Sequence, residues 1–496
     1  MDTLVNKSGI LKEKTKFFIF RIVTYFSFLL LPIYIQKGNE LPNALLLILM
    51  AFYSMFMIGQ WYLIGKEFDY RFTVYSRVNA SLDRVLSRIF TGMILIIFYF
   101  SFLSLFPGKW INNLFWCTWI VTGIFYSWPT RGKIIQESMS SNISEFKFLD
   151  SFERTLLLLI IIFFIVSMYS IPNLTGVLSL KSLIDPSSSF AAPLWHFLTV
   201  TYYPFLKYPI LFKMAWFVHF YLVGLFLLLL TFYSFLRFFV SRRLSLLGIF
   251  ALISSWSFSL ILMKGTGSVF ITCFSIIWAW CNLLIFKSGT YRSGILFGFI
   301  GVWGSILNHN FIIIFLLQLV LTYFYFLKSK NLWFRKQFVK YTLPSIIVMS
   351  VLFFMGDFSL FTFLDADILQ RVSKFIDRKA FYTLSIFGLI IIILKLIFPK
   401  IAFINSFQLD KDNYNNLFII YLTFVMGSLF IAGIQLDSYT IIWNIVFLSL
   451  IPLELIFQRI GRLRSSRNMI YLVYILICLL DSHFEVRVRI FSSLLN

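Results

Sequence analysis

Residues 155–171 read Thr-Leu-Leu-Leu-Leu-Ile-Ile-Ile-Phe-Phe-Ile-Val-Ser-Met-Tyr-Ser-Ile and carry no charged side chain. An α-helix rises about 1.5 Å per residue, so this run covers most of the ~30 Å hydrocarbon layer of a bilayer. Runs of similar length recur along the whole chain. The stretch therefore predicts one membrane-spanning helix in a long series.

The pattern yields about fifteen candidate spans, and two short runs leave the number at about 13 to 15. They lie near residues 17–35, 43–64, 89–107, 110–128, 155–171, 212–238, 244–262, 269–287, 293–307, 310–327, 341–355, 381–398, 415–434, 439–457 and 469–481. The first run carries Arg21 and no cleavage-site pattern, which favours a retained helix over a signal peptide. The predicted fold is all-α, a polytopic transmembrane helical bundle with short interfacial helices on its outer side.

Composition points to the same class. Of the 496 residues, 59% are hydrophobic and only 13% are charged, and the mean hydropathy is +0.86. Soluble domains carry about 25% charged residues, so this composition excludes a water-soluble fold for most of the chain. The four cysteines lie inside apolar runs without metal-ligand spacing, so they predict no metal site.

The net charge of +22 reflects basic residues in short loops. With a cytoplasmic N-terminus and alternating spans, roughly 29 of the 43 Lys and Arg residues fall on the inner side. This bias predicts the orientation and argues against a nucleic-acid partner. Arg21, Lys395 and Glu454 lie near span ends, where such side chains can snorkel towards water.

Residues 66–88 predict a basic amphipathic helix on the inner leaflet, because apolar residues recur there at helical spacing. The apolar face consists of Val74, Val78, Leu82, Val85 and Ile89. A surface helix that anchors the loop to anionic lipid explains this pattern without any site.

Residues 172–211 form the longest predicted outer segment and mix prolines with aromatic residues. An aromatic belt at the headgroup level accounts for most of the rings, but not for Asp185, His196 and Lys207. A transferase that uses a lipid-phosphate sugar needs a base for the acceptor hydroxyl and cations for the departing phosphate. Asp185 also fits a turn, because Pro186 follows it, and His196 also fits a snorkelling side chain.

Further candidates for substrate binding fall in later segments. Lys264 lies in the turn Met-Lys-Gly-Thr-Gly at 263–267, and His309 stands between two asparagines at a predicted helix end. Arg371 and Lys374 belong to a predicted outer interfacial helix within 356–380, where they are candidates to hold a lipid phosphate. Helix capping is the other interpretation of His309, and a solvated polar face is the other interpretation of Arg371 and Lys374.

Several features in chain order resemble a known family. They are Pro193-Leu194-Trp195-His196-Phe197 after an acidic residue, a long helix ending at Arg237 and Arg242-Arg243, the turn at 263–267, Asn308-His309-Asn310, and Asp437 before a helix with Pro452. Residues from about 155 to 460 thereby resemble the GT-C superfamily of membrane glycosyltransferases, which includes protein mannosyltransferases and aminoarabinose transferases. The resemblance implies that Asp185 serves as the catalytic base. Asp185 lies farther from the preceding helix than is usual in that family, and four extra helices come first.

These observations predict a membrane glycosyltransferase that moves a sugar from a polyprenyl-phosphate-linked donor to a lipid, glycan or protein acceptor on the outer face. The expected partners are membrane lipid and the lipid-linked donor, in the plasma (inner) membrane, with no cofactor. The predicted organisation is a four-helix region over 1–154, a GT-C-like core over 155–460, and a terminal helix over 461–496. The alternatives are a transporter or flippase, or a polymerase, of lipid-linked surface polysaccharide, and a membrane scaffold without enzymatic activity.

Overall fold

The computed structural model describes residues 2–37, 42–72, 81–103, 108–127, 149–169, 218–255, 379–398, 437–459 and 464–480, with isolated residues and short pieces between 205 and 320. Within these ranges the chain is helical and contains no strand. The all-α part of the predicted fold is therefore confirmed.

Eleven α-helices and one π-helical turn account for the longer described ranges. The helices are α1 (Asp2–Leu29), α2 (Leu31–Lys37), α3 (Asn43–Phe72), α4 (Ser81–Leu103), α5 (Gly108–Ser127), α6 (Ser151–Tyr169), α7 (Gly224–Leu236), α8 (Arg242–Ser254), α9 (Lys379–Ile397), α10 (Asp437–Arg459) and α11 (Arg464–Leu480). The π-helical turn spans Val218–Val223 and directly precedes α7. Each helix overlaps one of the apolar runs found in the sequence.

The predicted interfacial helix over 66–88 is wrong as a single element. Residues 66–72 continue α3, residues 81–88 begin α4, and residues 73–80 lie outside the described residues. The physical reason is an ion pair between the two helices, in which the Arg88 guanidinium binds the Asp69 carboxylate at 2.6 and 2.8 Å. Arg88 therefore faces the neighbouring helix instead of lipid phosphates.

The chain divides into two compact units. Unit one comprises Met1–Phe148 and Leu178–Val223, and unit two comprises Leu149–Val177 and Gly224–Asn496. The predicted boundaries at 154/155 and 460/461 stay predictions. The structure adds that residues 178–223 group with the N-terminal helices.

In unit one, α3 and α4 cross with their backbones in contact. A Cβ atom at Gly65 would overlap the carbonyl oxygen of Arg88, and a Cβ atom at Gly92 would overlap that of Trp61. Since Gly65 follows Trp61 by one turn and Gly92 follows Arg88 by one turn, the two helices are antiparallel. Small residues permit this close approach, which maximises van der Waals contact between helices.

The α1 helix joins the same unit through Tyr25. Its hydroxyl lies 3.0 Å from Gln60 Oε1 on α3 and 2.8 Å from the carbonyl oxygen of Trp119 on α5. Gly123 makes room for the Tyr25 ring one turn after Trp119. One buried side chain therefore holds three helices together.

In unit two, α9 and α10 lie side by side and run in the same direction. The Ser385 hydroxyl donates a hydrogen bond of 2.7 Å to the carbonyl of Ile445, and Gly388 lies against the carbonyl of Leu448. Aromatic rings fill the core beside them, where Phe235 of α7 contacts Trp443 and Phe447 of α10. The Trp443 indole N–H donates to the Ser275 hydroxyl at 3.0 Å.

Two stretches among the described residues are long and apolar enough to cross a membrane, namely Phe18–Gln36 and Leu45–Arg71. Shorter apolar helices are found at Trp116–Phe125, Gly224–Leu236, Thr383–Leu394, Ile442–Phe457 and Arg467–Leu480. Arg21 is only 8% exposed and Glu454 only 9%. The expectation that these two side chains snorkel is wrong, because packing within the protein buries them; the Lys395 side chain lies outside the described residues.

Candidate functional site

All the site residues predicted from the sequence lie outside the described residues: Asp185, His196, Lys207, Lys264, His309, Arg371 and Lys374. Near Lys207, Phe205 is fully buried against Tyr53 of α3, with ring centroids 5.7 Å apart. The Tyr208 N–H donates to the Phe205 carbonyl at 2.9 Å, and the Tyr208 side chain is partly exposed. Phe205 thus packs against α3 within unit one.

A different polar group is well defined in unit two. We call Asp150, Glu153, Arg242, Arg243 and Glu454 the arginine–carboxylate cluster. It forms where α6 and α8 begin and where α10 approaches its end. Its residues are far apart in the chain, so tertiary structure assembles it.

Its first element is a capping box at the start of α6. The Glu153 N–H donates to Asp150 Oδ1 at 2.7 Å, and the Asp150 N–H donates to Glu153 Oε2 at 3.0 Å. Such reciprocal bonds satisfy N–H groups that the first helical turn leaves without partners. Both carboxylates are thereby held facing α8.

The second element is a bidentate ion pair. Arg242 donates from Nε to Glu153 Oε1 and from Nη2 to Glu153 Oε2, both at 2.7 Å. The Glu153 side chain is 2% exposed and that of Arg242 is 34% exposed. Hydrogen bonding to Glu153 raises the pKa of Arg242 above its ordinary value, although partial burial opposes the shift.

Arg243 and Asp150 form the neighbouring pair, which is more exposed to water, at 29% and 32%. Partial burial by itself would raise the pKa of the Asp150 carboxyl. The Glu153 N–H and the Arg243 guanidinium outweigh that effect and lower this pKa below its ordinary value of 3.8. Asp150 is therefore ionised at neutral pH.

Glu454 completes the cluster from α10. Its Oε2 accepts the Ser241 N–H at 3.0 Å, at the residue that precedes α8. The first turn of a helix carries partial positive charge, so two arginines there are unfavourable unless carboxylates lie close. The three carboxylates of the cluster supply that compensation.

The cluster links helix ends through paired charges and is called a structural clamp below. Its arginines are paired with carboxylates, which leaves them poorly suited to hold a phosphate. Among the described residues there is no group of His, Cys, Asp and Glu that could hold a metal ion. The chemistry of the cluster is charge neutralisation between helix ends.

The clamp also defines the directions of the helices in unit two. The first turns of α6 and α8 are joined by Glu153 and Arg242. Farther along both helices, Phe163 contacts Phe250, with ring centroids 5.3 Å apart. The two helices are therefore parallel. The α10 helix is antiparallel to α8, because Glu454 meets Ser241 while Leu450 lies against Gly248.

Four helix ends consequently lie away from the cluster. They are the last residues of α6 and α8 and the first residues of α9 and α10: Tyr169, Ser254, Lys379 and Asp437. The α7 helix ends at Leu236, five residues before the N-cap Ser241, so its start at Gly224 lies away from the cluster as well. The chain segments that carry Asp185, Lys264 and Arg371 connect to these far ends.

The cluster was not predicted from the sequence, although two parts of its pattern are visible there. Asp150 and Glu153 have the spacing of a capping box before an apolar run, and Arg242-Arg243 opens a predicted span. The pairing between them is not readable from a single sequence, because about ninety residues separate the partners.

Unit one has a buried polar feature of its own at the π-helical turn. His219 is fully buried, and its ring contacts Trp61 of α3 edge to face, with centroids 5.3 Å apart. This contact packs the π-helical turn against α3.

Comparisons with protein families, with curated proteins and with solved structures find no match to this chain. The resemblance to the GT-C superfamily therefore stays an expectation from the sequence.

Proposed function

We propose that the protein is an integral membrane protein whose helices cross the bilayer many times, with a cytoplasmic N-terminus. In the two long apolar stretches, only 28% and 39% of the residues are buried within the protein. A helix in the core of a soluble protein buries most of its surface. The remaining apolar side chains need a nonaqueous solvent, which a bilayer provides.

Exposed apolar stripes on the shorter helices support the same proposal. On α6 the exposed residues are Leu158, Ile161, Ile162 and Ile165, and on α11 they are Met469, Leu472, Val473, Leu476 and Leu480. Each set repeats at three- and four-residue intervals along one helix face. Patches of this kind mark surfaces that contact a partner or lipid.

The helix directions in unit two agree with the alternation predicted from loop charges. The loops predicted as cytoplasmic near 129–154, 237–243 and 459–467 all adjoin the arginine–carboxylate cluster. Parallel α9 and α10 require an odd number of crossings between them, and the sequence predicts one, at 415–434. We therefore assign the cluster end of unit two to the cytoplasmic side.

We propose further that the protein transfers a sugar from a polyprenyl-phosphate donor to an acceptor on the outer face. The observation that carries this proposal is that the helix ends adjoining the candidate segments all lie on the same side of unit two. The α6, α8 and α9 ends adjoining the segments of Asp185, Lys264 and Arg371 lie away from the cluster, which is the outer side in this topology.

The proposed roles follow from the chemistry of the transfer. Asp185 takes the proton of the acceptor hydroxyl, which then attacks the anomeric carbon of the sugar as the bond to phosphate breaks. Lys207, Lys264, Arg371 and Lys374 stabilise the negative charge on the departing lipid phosphate. His196 and His309 contact the substrate.

The test is Asp185→Asn, assayed for sugar transfer from a polyprenyl-phosphate sugar in reconstituted vesicles. Loss of a general base lowers rates by about 10²- to 10⁴-fold. Asp357→Asn, predicted on the same face but assigned no role, is the matched control and retains activity. Equal rates for both variants would remove Asp185 from catalysis.

A transporter or flippase of lipid-linked saccharide is the second candidate. Unit one buries several charged residues within its helices, namely Arg21, Lys66, Asp69 and Asp83. Buried ionisable residues of this kind often mark transport pathways in membrane proteins. Movement of a fluorescent lipid-linked saccharide across the vesicle membrane, with its covalent structure unchanged, would favour this function over transfer.

A further inference from the structure

The α6 helix has one exposed apolar side that begins beside the arginine–carboxylate cluster. The exposed residues are Leu158, Ile161, Ile162 and Ile165, which we call the α6 stripe. Each is between 42% and 57% exposed, and their spacing places them on one side of the helix. On the other side, Leu156 and Phe163 are only 1% and 2% exposed. The stripe is therefore the side of α6 that the described part of unit two leaves open.

A guanidinium group lies at the cluster end of this stripe. Arg154 is exposed and precedes Leu158 by one helical turn, so it belongs to the same side of α6. Its Nε donates to the carbonyl oxygen of Leu149 at 3.1 Å. Among the described residues no carboxylate pairs with Arg154, and the neighbouring Asp150 and Glu153 bind the arginines of α8 instead. The two Nη groups of Arg154 are therefore left for another acceptor.

The length of this side of α6 matches one leaflet of a bilayer. From Arg154 to Ile165 the helix rises about 16 Å. Half of the hydrocarbon layer is about 15 Å thick. Since the cluster end is assigned to the cytoplasmic side, Arg154 falls at the headgroup level of the inner leaflet, and the stripe runs along the acyl chains. A phospholipid has the same order of groups, with a phosphate above its apolar chains.

From this arrangement we infer that Arg154 and the α6 stripe bind an anionic phospholipid of the inner leaflet. The inference rests on the proposed membrane placement of unit two and does not depend on sugar transfer. The Nη groups donate to the phosphate oxygens, and the acyl chains lie against the stripe. One basic residue at the membrane surface gives about a fivefold preference for an anionic lipid over a zwitterionic one.

The test uses a fluorophore on Leu158→Cys, in the full chain with its four native cysteines replaced by alanine. The protein is placed in phosphatidylcholine nanodiscs with increasing fractions of a brominated lipid, which quenches the fluorophore on contact. Brominated phosphatidylglycerol should reach half-quenching at about a fivefold lower mole fraction than brominated phosphatidylcholine.

Variants of Arg154 identify the group that causes the preference. Arg154→Gln should abolish it, and Arg154→Lys, which keeps the charge, should retain most of it. Arg237→Gln is the matched control and should leave the preference unchanged. Arg237 is also exposed near the cluster end, but Tyr233, one turn before it, is only 2% exposed, so no open apolar side adjoins it. A preference that survives Arg154→Gln, or that Arg154→Lys loses equally, would overturn the inference.

The remaining outcomes separate this inference from the proposed function. Equal quenching by the two brominated lipids would reject the anionic site and keep the membrane placement of α6. Quenching by neither lipid would mean that protein covers the stripe, and a disulfide between two Leu158→Cys chains would then identify a second copy as its occupant. Extraction of the chain from membranes by alkaline carbonate would reject the proposed membrane placement itself.

Discussion

Substitution of Arg242 by glutamine tests whether the arginine–carboxylate cluster stabilises unit two. The change removes both hydrogen bonds to Glu153 and leaves a carboxylate that is 2% exposed without its cation. Breaking a buried ion pair in this way costs about 3–5 kcal/mol. Because the Arg242 side chain is 34% exposed, we expect the lower end, about 3 kcal/mol.

Arg243→Gln is the matched control on the adjacent residue. Its ion pair with Asp150 is about one-third exposed on both sides, so its loss should cost at most about 1 kcal/mol. The measurement is unfolding of the purified protein in mixed detergent micelles by added SDS, followed by tryptophan fluorescence. The loss in free energy of unfolding should be at least about three times as large for Arg242→Gln as for Arg243→Gln.

A double variant sharpens the test. Adding Glu153→Gln to Arg242→Gln removes the buried charge, so the double variant should be more stable than Arg242→Gln alone. Equal losses for the two arginine variants, or further destabilisation by Glu153→Gln, would show that burial of the Glu153 charge does not govern the stability of these helix ends.

Two further predictions concern stability. The lowered pKa of Asp150 contributes stability that is complete above its unfolded value near 3.8 and is lost as pH falls through the folded value, so the advantage of wild type over Asp150→Asn should shrink below about pH 4 in acid unfolding measurements. A constant advantage down to pH 2 would contradict this. Gly65→Ala should separate α3 from α4 and cost more than about 2 kcal/mol, whereas Gly59→Ala, with no atom within 4 Å of the new methyl, should stabilise the protein by about 0.5–1 kcal/mol. Equal effects of the two glycine substitutions on SDS unfolding would contradict the close crossing.

Helix positions were predictable because hydrophobic run length carries the signal locally. The run at 155–171 corresponds to α6 at Ser151–Tyr169, and the run at 110–128 corresponds to α5 at Gly108–Ser127. The prediction of one helix over 66–88 was wrong because the apolar spacing runs from α3 into α4. Contacts between distant residues, such as the Asp69–Arg88 pair and the close approach of Gly65 to Arg88, show that these are two elements. Periodicity describes one helix face and does not identify what covers it.

For the candidate site as well, the sequence identified residues by type and predicted side but not by their partners in the fold. Asp185 and its basic companions were selected from residue type and predicted side, both of which are properties of the chain read in order. The charged residues that the structure places together, Glu153 and Arg242, were not selected, because their chemistry depends on a partner about ninety residues away. Arg21 and Glu454 were predicted to snorkel towards water, because the residues that bury them cannot be identified from a single sequence.

The amino-acid sequence by itself predicted the helices that the structure describes and the apolar character of their surfaces, since these follow from local composition and periodicity. Only the tertiary structure decided the helix directions, the crossing at Gly65 and Gly92, and the neutralisation of Arg242 by Glu153. Those features depend on contacts between distant residues, whose energies arise only when folding removes both partners from solvent.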